Sequence, residues 1–370
     1  MSRRARLLAS GLVAVAAALS ALLLVEGALR LLGIHFPTIP QPERSDSGVP
    51  WTYDATLGWY RVPGTRSTAY LGGPDAATVR INSLGFRGGE VARERAPDEL
   101  RVLVVGDSFA FGVGVDEAHT FSSELERRLA AISGRPTQVL NLGVVGYSTD
   151  QEFLLLRDRG IPLNPDLVVL AMCDNDFLAN TQDFLYHRYY KPYVDVTAAG
   201  DIEFRNIPVP RLGVAQRAKV WLCEHSRVWN MLRSRSSSVP ALRRLLGWFE
   251  PAVSREAQDD PVFVTYLLVR AMRDLVQKAG AEFVTFNVAQ RGEDTRLFQA
   301  LRVHLRRDGI RFVGLEGALG KARQEHPDGN WDFGRDHHWN VDAAKIAARE
   351  IAGYLEQAGL RSAHGPIIAR

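Results

Sequence analysis

The stretch that decides the fold runs Arg101-Val-Leu-Val-Val-Gly106-Asp107-Ser108-Phe109. Its continuous apolar run, Val102 to Val105, predicts a strand that is buried on both faces of a parallel sheet. The run ends at a glycine, and a serine follows two residues later. Open α/β sheets bind ligands at the carboxyl ends of their strands, so the hydroxyl of Ser108 is a candidate reactive group. Taken alone, a serine that caps the next helix is the simpler interpretation.

From residue 100 onward the chain alternates between strand and helix patterns. Strands are predicted over Val102–Val105, Gln138–Asn141, Leu167–Ala171, Glu282–Asn287 and Arg311–Leu315. Helices are predicted over Thr120–Ile132, Ser148–Arg159, Pro261–Ala279, Asp294–Asp308 and Val341–Gln357. Such alternation with short connections predicts an α/β fold in which helices cover both faces of a parallel sheet.

One long segment, about residues 178–260, interrupts this alternation after the third strand. Its middle part, Val220 to Leu232, carries apolar residues at roughly helical spacing, and arginines make the segment locally basic. The simpler interpretation is an inserted helix with a solvated basic face. The alternative is a cap that contacts an anionic glycan or the nearby membrane surface.

The N-terminal segment has the pattern of a membrane anchor. Arg3, Arg4 and Arg6 precede an uncharged run from Leu7 to Val25, and these 19 residues are just long enough to span a bilayer. The arginines predict a cytoplasmic N-terminus. A cleaved signal peptide is the alternative, but no clean small-x-small site follows the run.

These patterns predict three regions. Residues 1–33 form an uncleaved single-pass transmembrane anchor, and residues 34–98 form a stalk and a small β lead-in. Residues 99–362 form the α/β domain, including the insertion at 178–260. The regions after the anchor are expected on the periplasmic or extracellular side of the membrane.

Composition excludes several classes of function. The 45 basic and 42 acidic residues leave a net charge of +3 over 370 residues, which predicts no nucleic-acid partner. The two cysteines, Cys173 and Cys223, are too few for a disulfide framework or a metal site, and we expect a free buried thiol at Cys173. Neither a cofactor nor a metal is expected, and the oligomeric state is left open.

Three further stretches carry polar residues where Ser108 can meet them. Two follow the second and third predicted strands, and one lies immediately before the last helix; they are Asn141-Leu-Gly143, Cys173-Asp-Asn175-Asp176 and Asp336-His337-His338. The carboxyl ends of parallel strands share one edge of the sheet, so all four stretches are expected to converge there.

The chemistry that these residues allow is nucleophilic acyl transfer. A serine hydroxyl is a poor nucleophile unless a base takes its proton, and His338 is the candidate base. Asp336, two residues earlier, can orient the imidazole ring. Candidate donors to the oxyanion are the backbone amides of Ser108 and Gly143 and the side-chain amide of Asn175.

Other assignments within these stretches are less consistent with the spacing. His337 is expected to be a structural neighbour, and Asp332 is the competing orienter. Asp107 and Asp176 are expected to hold loops by hydrogen bonds. Two adjacent histidines rarely point at one ion, so a metal centre at His337 and His338 is set aside.

On these residues the sequence resembles the SGNH (GDSL) hydrolase family. The resemblance covers roughly residues 100–358 and rests on four ordered blocks, which are Gly106-Asp107-Ser108, Gly143, Asn175-Asp176, and Asp336 with His338. It implies a flavodoxin-like three-layer α/β/α sandwich and metal-free ester or acyl chemistry.

The sequence departs from the family pattern in two places. Cys173 stands where a glycine is usual, and the last block reads Asp-x-His-Trp instead of Asp-x-x-His-Pro. The shorter block resembles that of polysaccharide O-acetyltransferases, in which it commonly precedes the serine block. Here the serine comes first, which fits the hydrolase arrangement.

The expected function is therefore that of a membrane-anchored serine esterase. Its expected substrate is an acyl ester, in particular an O-acetyl group on a small molecule or a cell-surface glycan. One alternative is an O-acyltransferase that passes the acyl group to a polysaccharide. The other is a non-catalytic glycan-binding or scaffold protein, against which the complete set of four blocks argues.

Overall fold

A five-stranded sheet forms the centre of the computed structural model of this 370-residue chain. The structure describes residues 2–38, 48–69, 77–186, 188–236, 238–240, 244, 260–289, 293–326, 331–332 and 337–368. Residues 39–47, which are part of the predicted stalk, lie outside the described residues.

The described elements alternate along the chain as the sequence predicts. The helices are α1 (Arg3–Leu31), α2 (Ser108–Phe111), α3 (Phe121–Ser133), α4 (Thr149–Leu155), α5 (Asp174–Ala179), α6 (Val214–His225), α7 (Arg227–Arg235), α8 (Pro261–Lys278), α9 (Arg296–Arg307), α10 (Glu316–Glu325) and α11 (Val341–Ala358). The strands are β1 (Trp51–Asp54), β2 (Gly58–Arg61), β3 (Arg66–Ala69), β4 (Ala77–Arg80), β5 (Leu100–Gly106), β6 (Thr137–Asn141), β7 (Leu167–Met172), β8 (Phe184–Leu185), β9 (Tyr189–Tyr190), β10 (Tyr193–Val196), β11 (Ile202–Arg205), β12 (Glu282–Asn287), β13 (Phe312–Gly314), β14 (Arg361–Ser362) and β15 (Gly365–Pro366).

The central sheet has the strand order β13-β12-β7-β5-β6, and every neighbouring pair is parallel. All residues of β5 and β7 are buried, as expected for strands covered on both faces. In β5, Val102 and Val104 belong to the core shared with α3 and α11, whereas the alternating Leu103 and Val105 point away from that core. The predicted parallel α/β architecture with flanking helices is therefore confirmed.

Some helix boundaries differ from the prediction where the local sequence has a low helix propensity or an irregular pattern. The predicted helix Ser148–Arg159 is α-helical only to Leu155 and continues as a π-helical turn over Leu156–Gly160. Helix α10 was not predicted, because its two glycines, Gly317 and Gly320, lower the helix propensity of a ten-residue segment. The predicted helix Pro261–Ala279 ends as expected, and Gly280 beyond it has the left-handed φ of 79° that is common just after a helix.

The lead-in contains two antiparallel hairpins, β1-β2 and β3-β4. Trp59 of β2 is buried, stacks on Trp51 at a ring-centroid distance of 5.4 Å, and donates from Nε1 to the carbonyl of Val145 at 3.3 Å. Val79 is buried in β4. These hairpins pack on the α/β domain next to the loop that follows β6.

Contacts between Cα atoms divide the chain into two compact units. One comprises Met1–Pro40, Tyr186–Tyr189 and Arg211–Ser254, and the other contains the sheet and comprises Gln41–Leu185, Tyr190–Pro210 and Arg255–Arg370. The long insertion is thus shared: its hairpin β10-β11 belongs with the sheet, and its helices α6 and α7 belong with α1.

One described helix is long and apolar enough to cross a membrane. It covers Ala9–Leu31, has a mean hydropathy of 2.3, and is almost entirely exposed. Length and composition qualify it equally as a membrane anchor or as a signal sequence.

Candidate active site

Ser108 is the first residue of α2, directly after β5 ends at Gly106. The helix is capped by Asp107, whose Oδ1 accepts from the amide of Phe109 at 2.9 Å. The interpretation of Ser108 as a simple helix cap is therefore wrong, since its neighbour fills that role. A β-carbon at Gly106 would lie 2.8 Å from the carbonyl oxygen of Ala171, so only glycine allows this strand end to pack so closely.

His338 meets the serine from the opposite end of the chain. Its Nε2 lies 2.7 Å from Oγ of Ser108, a normal hydrogen-bond distance. The imidazole ring packs against Phe109 at a centroid distance of 5.0 Å, and Phe109 also contacts Trp339 edge-on at 5.4 Å. Asn340 caps α11 with its side chain, which fixes where the histidine segment ends. This geometry permits direct proton transfer between the hydroxyl and the ring.

The adjacent histidine faces a different partner. His337 has a left-handed φ of 60°, and its Nδ1 lies 3.4 Å from Oδ2 of Asp332. Asp332 also lies 3.6 Å from the guanidinium of Arg323. Asp336 lies outside the described residues, so its role as the orienter of His338 stays a prediction. Within the described part of the chain, no cluster of three or more His, Cys, Asp or Glu could hold a metal ion.

Gly143 lies directly behind α2. A β-carbon there would lie 2.2 Å from the backbone nitrogen of Phe111, so a larger residue does not fit. The amide of Gly143 donates to Oδ1 of Asn141 at 3.0 Å, and to serve an oxyanion it would have to leave this acceptor. The amide of Gly146 donates to no acceptor among the described residues; the sequence analysis did not consider this donor.

A buried arginine that the sequence analysis missed holds the carbonyl of Gly143. Nη1 of Arg61, in β2, donates to this oxygen at 2.5 Å. Burial lowers the pKa of the Arg61 guanidinium from its ordinary value, since removal from water disfavours the charged form. No local sequence pattern could have indicated this contact, because 82 residues separate the two partners.

The third block reaches the site through α5. Asn175 lies in the first turn of this helix, and its side-chain amide is among the neighbours that partly offset the effect of burial on the pKa of Asp107. Asp176 is buried, and its Oδ2 accepts from the amide of Cys173 at 2.9 Å, a loop-holding role that agrees with the prediction. Burial raises the pKa of the Cys173 thiol well above its usual range. Both cysteines are free and buried, as expected for Cys173.

Four buried carboxyl groups lie close to one another behind the serine. This buried acid cluster comprises Asp107, Asp150, Glu152 and Asp176. Burial raises the pKa of all four above their ordinary values, and the charges of neighbouring members add to this effect for Glu152 and Asp176. The only one of the four in an ion pair with a described lysine or arginine is Asp150, whose partner is the fully buried Lys191.

Glu152 provides a test of this cluster. Its folded-state pKa is raised, so the folded protein binds more protons than the unfolded chain, and stability falls as pH rises above about 4.5, the unfolded value. Glutamine cannot ionise, so it removes the free-energy cost of charging a buried carboxyl group and keeps nearly the same side-chain size. We expect Glu152→Gln to gain at least about 1 kcal/mol relative to wild type between pH 4.5 and pH 8, or about 1–2 °C in Tm for a chain of this size.

The measurement is thermal unfolding of both proteins across that pH range. Glu356→Gln, at an exposed position of α11, is the control and should show no such trend. A constant difference in Tm between Glu152→Gln and wild type at every pH would contradict the raised pKa.

Comparison with known proteins identifies the family. The model of the GDSL-like lipase/acylhydrolase family matches residues 104–341, which include Ser108, Gly143, Asn175 and His338. The chain belongs to this family. The protein is therefore an ester-bond hydrolase of the GDSL type, as the sequence blocks predicted.

Several solved structures are similar to this chain at low sequence identity. A lipase/acylhydrolase from Enterococcus faecalis is 11% identical, with 70% of this chain and 96% of that chain covered at a TM-score of 0.36. A catalytic mutant of an acetylxylan esterase from Geobacillus stearothermophilus is 12% identical, with coverages of 69% and 93% and a TM-score of 0.36. No curated protein matches the sequence.

Proposed function

We propose that this GDSL hydrolase is a membrane-anchored serine esterase that removes short acyl groups, in particular O-acetyl groups, from cell-surface glycans. The observation that carries the proposal is the 2.7 Å distance between Nε2 of His338 and Oγ of Ser108. A serine next to a base at the carboxyl edge of a parallel sheet is the arrangement that acyl transfer needs.

The proposed reaction has two halves. Oγ of Ser108 attacks the ester carbonyl while His338 takes its proton, and the carbonyl oxygen becomes an oxyanion. His338 then gives the proton to the leaving alcohol, and an acyl-enzyme forms. In the second half, water loses a proton to His338 and attacks the acyl carbon. The bond from this carbon to Oγ of Ser108 then breaks, His338 returns the proton to Oγ, and the free acid leaves.

Three donors are proposed for the oxyanion: the amides of Ser108 and Gly143 and the side chain of Asn175. The amide of Gly143 donates to Oδ1 of Asn141 in the free protein, so it has to exchange acceptors when substrate binds. Losing one such donor typically costs about 3–4 kcal/mol in the barrier.

The proposal of a short acyl group rests on the surroundings of Ser108. A small cavity beside the hydroxyl is lined by Phe109, Val113, Phe121 and Trp339. These side chains are mostly apolar and close together, so they suit the methyl group of an acetyl ester better than a long chain.

The proposed orienter of His338 remains Asp336.

The function is tested with the purified full-length protein in detergent. We expect it to hydrolyse p-nitrophenyl acetate faster than longer acyl esters and to release acetate from an O-acetylated glycan.

A fluorophosphonate probe should label the wild type and leave Ser108→Ala unlabelled. Labelling of both proteins would remove Ser108 as the nucleophile, and the absence of labelling and hydrolysis would favour a binding protein. Transfer of acetyl to an added sugar instead of water would favour an O-acyltransferase.

The proposed location is the periplasmic or extracellular side of the membrane, with α1 as a single-pass anchor. The apolar span Ala9–Leu31 and the arginines that precede it support this orientation. Alkaline phosphatase, which needs the periplasm to fold, should be active when fused after residue 60. Activity of a cytoplasmic reporter at the same position would contradict the orientation.

A further inference from the structure

The two helices α6 and α7 of the insertion are attached to the last turns of α1 through Glu26. Its carboxylate accepts from Oγ of Ser226 at 3.0 Å and from the amides of Arg227 at 3.2 Å and Val228 at 3.0 Å. These donors form the N-terminus of α7, where unpaired amides and the helix dipole favour a negative charge. Glu26 therefore links the apolar helix directly to the insertion.

Arginines strengthen this attachment on both sides. Nη2 of Arg30 donates to the carbonyl of His225 at 2.5 Å, and Nη1 of Arg227 donates to the carbonyls of Leu29 at 2.8 Å and Ile34 at 3.1 Å. Leu29, Arg30 and Ile34 all lie at or just beyond the carboxyl end of the span Ala9–Leu31. The pair of helices, which we call the insertion hairpin (Val214–Arg235), is thus fixed at one end of the apolar segment.

The exposed side of α6 has the composition of a membrane-interface helix. Val214, Arg217 and Trp221 lie three and four residues apart on one face, and all three are exposed, Trp221 by 57%. Between residues 211 and 236 the chain has six basic residues and one acidic residue, and the acidic one, Glu224, pairs with Arg188. Tryptophan and arginine are the side chains that favour the headgroup layer of a bilayer.

The length of the apolar run fixes the depth of the hairpin. About 20 helical residues cross the hydrocarbon core, and the uncharged run from Leu7 to Val25 fills this length. Glu26 then lies at the outer boundary of the hydrocarbon, and the residues that it holds lie level with the lipid headgroups.

We propose that the insertion hairpin lies on the outer surface of the bilayer that carries α1 and binds anionic phospholipid headgroups through Arg217, Trp221 and Arg235. The proposal rests on the membrane anchoring proposed above. An anionic surface is favoured over a soluble anionic glycan because the anchor places this bilayer next to the hairpin permanently. Such binding would hold the hairpin flat on the membrane beside the anchor.

The experiment reconstitutes the full-length protein into vesicles of phosphatidylcholine, with or without phosphatidylglycerol, in which some lipids carry bromine near the headgroup. Bromine quenches tryptophan fluorescence at its own depth, and Trp221→Phe identifies the part of the signal that comes from Trp221. We expect quenching specific to Trp221 in vesicles with phosphatidylglycerol, and we expect salt to weaken it.

Charge variants test the partner. Each arginine near an anionic surface contributes about a fivefold preference for the bound state, so Arg217→Glu with Arg235→Glu should reduce the quenching strongly. Arg306→Glu, at an exposed position of α9 in the other compact unit, is the matched control and should change nothing. Glu26→Ala should also reduce the quenching and should make residues 211–236 more sensitive to protease, while hydrolysis of p-nitrophenyl acetate is unchanged.

The outcomes separate this inference from the anchoring on which it rests. Failure of the protein to float with vesicles would overturn the anchoring itself. Flotation without quenching specific to Trp221 would overturn only the surface contact. Equal quenching in neutral and anionic vesicles would overturn the role of anionic lipid. Loss of the quenching on addition of soluble alginate would assign the surface to glycan, and burial of Trp221 in a cross-linked dimer would assign it to a second copy.

Discussion

Replacing His338 by alanine is expected to lower kcat for acetyl ester hydrolysis by about four to six orders of magnitude, with little change in KM. The reason is that Nε2 of His338 lies 2.7 Å from Oγ of Ser108, and without this base the hydroxyl keeps its proton when it meets the carbonyl. The measurement is kcat of each variant after circular dichroism shows that it is folded.

Two neighbouring substitutions serve as matched controls, and a third tests the proposed orienter. His337→Ala and Asp332→Asn remove a contact of 3.4 Å that does not involve Ser108, so both variants should keep most activity. Asp336→Asn should be severe if Asp336 orients His338, because asparagine can hold the wrong tautomer of the ring. An inactive Asp332→Asn beside an active Asp336→Asn would exchange the two aspartates, and an inactive His337→Ala beside an active His338→Ala would exchange the two histidines.

Replacing Lys191 by methionine is expected to destabilise the protein by about 3–5 kcal/mol. Both Lys191 and Asp150 are completely buried, and Nζ of Lys191 donates to Oδ2 of Asp150 and to the carbonyls of Ala179 at 2.8 Å and Gln182 at 3.2 Å. Methionine fills the same volume but leaves the carboxylate without its cation. The measurement is chemical unfolding of the wild type and Lys191→Met at pH 7.5.

The charge of Asp150 explains how this loss depends on pH. Burial already raises the pKa of Asp150, and removal of the ammonium raises it further, so the variant carries a neutral acid at low pH. The destabilisation should therefore be smaller near pH 4 than at pH 7.5, since the penalty applies only above the unfolded pKa. Asp150→Asn combined with Lys191→Met should recover part of the stability. A double variant no more stable than Lys191→Met alone would show that the lost packing and carbonyl contacts matter more than the ion pair.

Much of the α/β domain could be predicted because its signals are local. Strands buried on both faces form continuous apolar runs, and this placed β12 at its observed bounds and β5, β6 and β7 within two residues of theirs. The approach of His338 to Ser108 was predictable for a related reason. Parallel strands bring their carboxyl ends to one edge, and the Asp-x-His spacing distinguished His338 from His337.

Several long-range contacts of buried or helix-capping charges could not be predicted from any local sequence pattern. Arg61 reaches the carbonyl of Gly143 across 82 residues, and Lys191 reaches Asp150 across 41. In the sequence, Glu26 is simply the charged residue that ends an apolar run. Only the folded chain shows that its carboxylate binds the N-terminus of α7, 200 residues later. The sequence by itself therefore determined the sheet, the family and the proximity of His338 to Ser108, because periodicity and motif order are properties of the linear chain. Tertiary structure alone decided which buried charges are paired and what holds each loop, because those partners become neighbours only when distant segments pack together.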